Sequence, residues 1–460
     1  MKKLISILLV TVLIASLFTG CNKDKKTNTT SKVELTSEYE NSTELVGDPN
    51  ATGELTVGVY GTEPSEKKLD MFCMAVEKFK RLYPKVIINI DRVSYETDYK
   101  TYQNKLWKSV QDGTSPDLFI NYRNIEAFDA IKNNLIADMS SYFEKDSTFQ
   151  SEEYNQAVLN GNDHDGKKFI IPLGYSMPLL ISTKTILKEH KFDVNQCTDF
   201  YSTTDALYEL ANNASTDEKP LSRLSWNIFP VSIGLNFIDY DNKTVSLNSM
   251  KNKECEKKLS KLSDYCMFDN YDEEWIDKLK QKKTVIVQLR DGLQDPINSY
   301  QSINTTDEAV IFPWRNANGN IQARLAYDNI MVSNSSKNKQ NAYNFIKVML
   351  SKDIQLLSEF GGSYKQFIPV SNYALKEYLK KKLLSEEALS VSTNRQKAES
   401  DAIKFINEFI EFTNQVDGSE SNLPLVMIYY NAMEPFYEDQ KSYEECVKDA
   451  ESKIQAYVFG

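Results

Sequence analysis

The sequence predicts an α/β protein folded as two lobes, and three observations carry that reading. Short apolar strands alternate with amphipathic helices, the pattern of βαβ units and a parallel sheet. After a polar stretch ending near residue 50, about 410 residues remain, more than one hydrophobic core accommodates. The chain is 41% hydrophobic and 11% aromatic, with 26 Tyr and 22 Phe, a composition rich enough to fill two cores.

The elements follow in order from the amino end. Met1, Lys2 and Lys3 give a positive start, and Leu4 to Phe18 is apolar apart from Ser6, Thr11 and Ser16. An apolar run of about fifteen residues is too short to span a hydrocarbon core of ~30 Å as a mature helix. Thr19 and Gly20 then precede Cys21, and small residues at such a point mark a removable secretory signal. Residues 1–20 resemble a bacterial lipoprotein signal, which would make Cys21 the acylated, palmitate-bearing amino terminus of the mature protein. Phe18 departs from the leucine usual in such signals, and the alternative is an ordinary secretory signal with Cys21 as a bystander. Each buried CH₂ of an acyl chain contributes about 0.8 kcal/mol, so several chains on one residue anchor durably. Residues 21–51 are dominated by Lys, Thr, Asn, Ser and Glu without apolar periodicity. They read as a disordered tether with an r.m.s. span of about 30 Å.

Beyond the tether, Leu55 to Tyr60 (LTVGVY) reads as a buried strand entering a loop. Leu69, Phe72, Cys73, Val76, Phe79 and Leu82 share one helical face, and Pro84 stops that helix. Val86 to Ile90 is a second strand. Tyr99, Tyr102, Leu106 and Val110 form another helical stripe closed by Gly113, and Pro116 to Ile120 is a third strand. Thr284 to Leu289 and Ala309 to Phe312 continue the strands. Helices are expected around Ala342–Met349, Ala402–Ile410 and Cys446–Ile454. No internal repeat is visible.

Several function classes fall away. A net charge of −11 and a pI near 5.1 argue against a nucleic-acid partner. Apart from Cys21, the cysteines at 73, 197, 255, 266 and 446 are odd in number and widely spaced, unlike a disulfide framework. Cys255 and Cys266 could pair, with free buried thiols the alternative. The two histidines, His164 and His190, have no partner at metal-ligand spacing. There is no G-x-S-x-G elbow, and 16 glycines in 460 residues leave little for a phosphate-cradling loop. The reading is therefore a non-enzyme without metal or cofactor, and no catalytic residue is assigned.

A resemblance adds to this. Residues 75–84 (AVEKFKRLYP), 113–119 (GTSPDLF), 135–139 (LIADM), 166–172 (GKKFIIP) and 333–339 (SNSSKNK), then the Ala342 helix and Gly361, match an ordered series of stations. In these the chain from about residue 54 resembles the maltose-binding-protein-like, family 1 extracellular solute-binding proteins of ABC importers. The resemblance implies a two-lobed periplasmic-binding-protein-like fold with a hinge and an interlobe ligand cleft. Lobe one would comprise 52–173 and 313–367, and lobe two 178–309 and 372–460, with crossings near 174–177, 310–313 and 368–371. It implies a monomeric receptor held by its lipid on the outer face of the cytoplasmic membrane of a Gram-positive-type bacterium. Its partners would be a small-molecule solute and the permease subunits.

Ligand positions carry over from the resemblance where local motifs align. These are Tyr60, Thr62 and Glu63 after the first strand, and Asn121, Tyr122 and Asn124 after the third. Tyr175 and Ser176 lie on the crossover strand, Trp226 ahead of Pro230, Arg290 after the Thr284 strand, and Tyr429 and Tyr430 after Pro424. Arg290 stands where the family commonly has tryptophan, replacing a stacking face with a cation. Aromatic rings can cover the apolar face of a pyranose while Asn, Glu and Arg satisfy its hydroxyls, so a carbohydrate is the expected solute. A polyamine, peptide or phosphorylated compound, or a role as a ligand-sensing lipoprotein, is the alternative. Asp117 and Trp314 read as structural.

Overall fold

The computed structural model describes residues 45–60, 71–93, 97–122, 127–161, 166–214, 219–224, 237–239, 242–262, 266–267, 275–290, 292–325, 328–357, 367–390, 392, 394–419 and 423–460. The signal and most of the tether lie outside them. The end of the expected tether is corrected: Leu45 and Ala51 pack against the core. A Cβ on Gly47 would come 2.3 Å from the Leu82 carbonyl oxygen, so the chain there lies against the end of the first helix.

The strands in chain order begin with β1 (Gly53–Tyr60), β2 (Val86–Val93), β3 (Leu118–Tyr122), β4 (Ile171–Pro172) and β5 (Gly174–Ser176). Next come β6 (Leu179–Thr183), β7 (Leu221–Ser222), β8 (Ile238–Asp239), β9 (Thr244–Val245), β10 (Cys266–Met267) and β11 (Ile286–Gln288). The last are β12 (Ala309–Pro313), β13 (Ile321–Leu325), β14 (Asp328–Val332), β15 (Ile368–Pro369) and β16 (Val416–Ser419). They form one sheet of order β2-β1-β3-β14-β4, a second of order β10-β7-β11-β6-β12, a third of order β15-β5-β13-β16 and a β8-β9 pair.

Local chemistry accounts for the first sheet. β1 sits between β2 and β3, parallel to both, and its Leu55, Val57 and Val59 are buried, as expected of the face that a central strand turns to the core. Edge strand β2 leaves Ile87 and Ile90 exposed. Gly58 is required by packing, since a Cβ there would lie 2.9 Å from Pro116. The helix Met71–Leu82 buries Met71, Phe72, Ala75, Val76 and Phe79, and Phe79 meets Phe345 of the helix Lys339–Leu350 edge-on at 5.5 Å. Asp117 is structural: its carboxylate accepts from the Thr56 N–H at 2.9 Å and from the Ser336 hydroxyl at 2.6 Å.

Register decides where the sheets face. In the first sheet the carboxyl ends of β1, β2 and β3 lie on one edge. β14 begins on that edge, with Asp328 opposite Tyr122, and β4 ends there, with Pro172 opposite Asn329. In the second sheet β10, β7 and β11 are parallel. At their carboxyl edge β6 begins and β12 ends, since Gln288 pairs with Leu180 and Pro313 with Leu179. Thus the links β4 to β5 to β6 and β12 to β13 to β14 leave both sheets at the carboxyl edges. The third sheet is built from those links, with β15 and β16 added to β5 and β13. The connecting sheet thus joins the two sheets through their carboxyl edges.

The second connection differs from the expected crossing at 310–313. β12 is paired with β6 along its whole length, Ala309 with Thr183 through Pro313 with Leu179, as the edge strand of the second sheet. The chain leaves afterwards, where the Trp314 N–H donates to the Pro178 carbonyl at 2.8 Å and the fully buried indole stacks on Phe200. Gly174 in β5 is dictated by close approach, for a Cβ there would sit 1.9 Å from the Phe367 ring.

Candidate functional site

In open α/β sheets ligands bind beyond the carboxyl ends of the strands, so the two linked carboxyl edges are the candidate site. On the first sheet Tyr60 ends β1 beside Val93 of β2. Its half-buried ring stacks on Tyr102 at 5.0 Å, and its hydroxyl donates to the Thr97 carbonyl at 2.8 Å. Asn121 and Tyr122 end β3, paired with Asn329 and Asp328; their side chains are outside the described residues. So are Thr62, Glu63, Asn124 and Trp226, together with Cys21.

On the second sheet the residues after β7 and β11 come together. Arg290 is exposed, and its backbone N–H donates to Asp295 Oδ2 at 2.7 Å. Arg223, which directly follows β7, is buried with Nη1 3.3 Å from the same oxygen. Its guanidinium lies over the Trp275 ring at 5.5 Å. Arg223, Asp295 and Trp275 were not among the residues singled out in the sequence. The signal available was an arginine immediately after an apolar Pro-Leu-Ser strand, too local to reveal its partner 72 positions on (295 − 223).

Three expected contact residues prove to be packed inside. The Tyr175 ring is fully buried, and its hydroxyl accepts from Asn155 Nδ2 at 3.3 Å, an amide that also donates to the Thr413 carbonyl. Burial drives its hydroxyl pKa up. Ser176 is buried opposite Arg324. Tyr429 is buried on the helix Leu423–Tyr437, and its hydroxyl donates to Glu256 Oε1. Tyr437 from the next turns donates to Glu256 Oε2 at 2.8 Å. Connecting strands and a helix flank put these side chains against neighbouring elements rather than solvent. Tyr430, one position on, is half-exposed, its hydroxyl 3.4 Å from Glu434.

Glu256 itself, on the helix Met250–Leu262, is buried, and that burial pushes its carboxyl up to about 7 despite the two donated hydrogen bonds. Burial likewise pushes the free thiol of neighbouring Cys255 up to about 12. Of the two outcomes open for Cys255, the structure has the free thiol. Elsewhere, a shallow groove lies between the helix Arg395–Asn414 and the amino end of β12, at the edge opposite the carboxyl edge. Its Glu308 is clamped by Lys184 at 2.7 Å and Lys404 at 2.8 Å, which hold its carboxyl down to about 2. Those three charges pair with one another.

A family model for bacterial extracellular solute-binding proteins matches residues 74–381, two thirds of the chain. The chain belongs to that family. No curated protein matches it in sequence. Solved structures resemble this solute-binding protein in fold over most of both chains. The sugar-binding protein MalE of Xanthomonas citri aligns with TM-score 0.61 at 11% identity, covering 88% of this chain and 97% of its own. A cyclic α-maltosyl-1,6-maltose-binding protein of Arthrobacter globiformis gives 0.57 at 15% identity, covering 89% and 99%. An ABC substrate-binding protein of Listeria monocytogenes, in complex with cycloalternan, gives 0.56 at 16% identity, covering 88% and 99%. The two-lobed solute-binding fold expected from the sequence is thereby shown.

Proposed function

We propose that this solute-binding protein is the lipid-anchored receptor of an ABC importer, a monomer that captures a saccharide between its lobes and delivers it to membrane permease subunits. The observation that supports the reading is the register: the chain leaves both sheets at their carboxyl edges and joins them by a sheet made of the crossing segments themselves. Such a connection lets the lobes swing as bodies, and a ligand that touches both edges favours the closed state. The saccharide class is supported by neighbours named for sugars and for cyclic glucans. Lobe one would hold the first sheet and lobe two the second, with boundaries as expected except that the second crossing follows Pro313.

Within the cleft, Tyr60, Thr62, Glu63, Asn121, Tyr122 and Asn124 would serve from lobe one, and Trp226, Arg290 and Tyr430 from lobe two. The protein performs no chemistry of its own: binding and release are its function. Cys21, acylated, would hold it at the outer face of the cytoplasmic membrane. A thermal-shift screen of the chain against neutral and acidic oligosaccharides, polyamines and peptides tests the reading. Ligand at a hundred times its Kd adds about 2.7 kcal/mol, a shift readily seen. A shift by a polyamine or peptide and by no saccharide would overturn the sugar assignment.

A further inference from the structure

The sequence holds two Asn-Gly pairs, Asn160-Gly161 and Asn318-Gly319. Such pairs mark turns, and asparagine is a thermolabile residue. A glycine puts no side chain beside its own backbone nitrogen, so that nitrogen can reach the side-chain carbon of the asparagine before it. The two pairs sit in opposite surroundings. Asn160 ends the helix Gln156–Asn160, and Gly161 keeps helical backbone angles, φ −69° and ψ −9°. The Asn160 Oδ1 accepts from Lys168 Nζ at 3.1 Å, and its Nδ2 donates to Gln156 Oε1 at 3.4 Å. Turning this amide onto the Gly161 nitrogen would break both bonds.

Asn318 lies instead in the turn from β12 into β13, and it is exposed. Its backbone N–H donates to Asn316 Oδ1 at 3.0 Å, while its side-chain amide has no hydrogen-bond partner among the described residues. Gly319 takes φ 84°, and its N–H donates to the Asn316 carbonyl at 3.0 Å. One bond in an exposed turn opens locally, without unfolding the core. The turn is also tied to a distant element. Arg315 donates from Nη1 to the Gly319 carbonyl at 3.0 Å and from Nη2 to Gln415 Oε1 at 2.6 Å, just past the helix Arg395–Asn414.

We infer that Asn318 is a site of spontaneous covalent modification, in which the Gly319 nitrogen attacks Asn318 Cγ. The N–Cγ bond forms as the Cγ–Nδ2 bond breaks, and the amide leaves as ammonia with the proton that Gly319 loses. Water then opens the cyclic imide. Opening at Cγ leaves an aspartate; opening at the Asn318 backbone carbonyl leaves an isoaspartate, with the main chain rerouted through the side chain. No electrons are exchanged, and solvent water is the co-reactant. The rerouted chain is one carbon longer between residues 318 and 319, so the Gly319 carbonyl moves away from Arg315. The isoaspartate form thus loses that tie in a segment that links the two sheets. The inference is independent of what the cleft binds.

Peptide mapping by mass spectrometry tests this on the full chain, aged at raised temperature below its melting point, with the same chain in urea alongside. In the folded chain, conversion of amide to acid is expected at Asn318. At Asn160 it should be slower by roughly tenfold to a hundredfold, the range that two hydrogen bonds set. In urea the two sites should convert alike. Retained amide at Asn318, or equal conversion of both sites in the folded chain, overturns the inference. Asn318→Gln carries an amide one methylene too far out for the same ring. On ageing, that variant should keep its melting curve while the parent comes to melt earlier. A fully converted parent with an unchanged melting curve overturns the loss of the Arg315 tie.

Discussion

Replacing Glu256 by glutamine should change how the stability of lobe two depends on pH. The carboxyl is 1% exposed, and its described partners are the neutral hydroxyls of Tyr429 and Tyr437. Burial raises its pKa from 4.5 to about 7, while the two hydroxyls pull the other way. The unfolded chain ionises this group at the ordinary value, so the folded protein binds the extra proton between the two. Stability is then greatest below pH 4.5, falls as pH rises through that window, and is level above about 7. At about 1.4 kcal/mol per pH unit, the window amounts to about 3 kcal/mol. Glutamine keeps the shape and can both accept from one tyrosine and donate to the other, without the charge. Glu256→Gln should match the parent near pH 4.5 and exceed it by about 3 kcal/mol at pH 8. Urea unfolding of both proteins at pH 4.5, 6, 7 and 8 measures the difference. Parallel curves for the two proteins would refute the reasoning, because Glu256 would then be ionised in the fold at no cost.

The adjacent tyrosines should behave oppositely. Tyr430→Ala is expected to weaken ligand binding by roughly thirtyfold, the cost of losing an anchor of about 2 kcal/mol, with an unchanged melting temperature. Tyr429→Ala should lose about 3–5 kcal/mol of stability as a core aromatic does; stability retained in that variant would place Tyr429 outside the core. Cys21→Ala should release the protein to the medium or leave it unprocessed, and continued acyl labelling would refute the anchor. Mass spectrometry after alkylation should find Cys73, Cys197, Cys255 and Cys446 as thiols. Any of these four in a disulfide contradicts the packing described. Small-angle scattering should show a more compact particle with saturating ligand, and an identical profile would count against closure about the connecting sheet.

Much of the fold was legible because its cause is local. The first helix declares itself by the spacing of Phe72, Val76 and Phe79 and its stop at Pro84, and it is found at Met71–Leu82. The run from Leu55 to Val59 reads as a buried strand, and it is found as β1, paired on both edges with Leu55, Val57 and Val59 buried. The candidate site was less legible. Tyr175 and Tyr430 look alike in sequence, yet one is sealed under Asn155 and the other is half-exposed. Arg290 was visible as an odd residue, whereas Arg223 acquires meaning only beside Asp295 and Trp275.

The sequence by itself determined the alternation of strands and helices and the acidic character of the chain. These depend on composition and on periodicity within one element. Tertiary structure alone decided that β5, β13, β15 and β16, from four distant parts of the chain, assemble into one connecting sheet. It also decided that Glu256 lies under two tyrosines and that two arginines share one aspartate. Periodicity tells which face of an element is apolar, but not which distant element will cover it. Burial, and with it the charge and exposure of each candidate side chain, is a property of that partner.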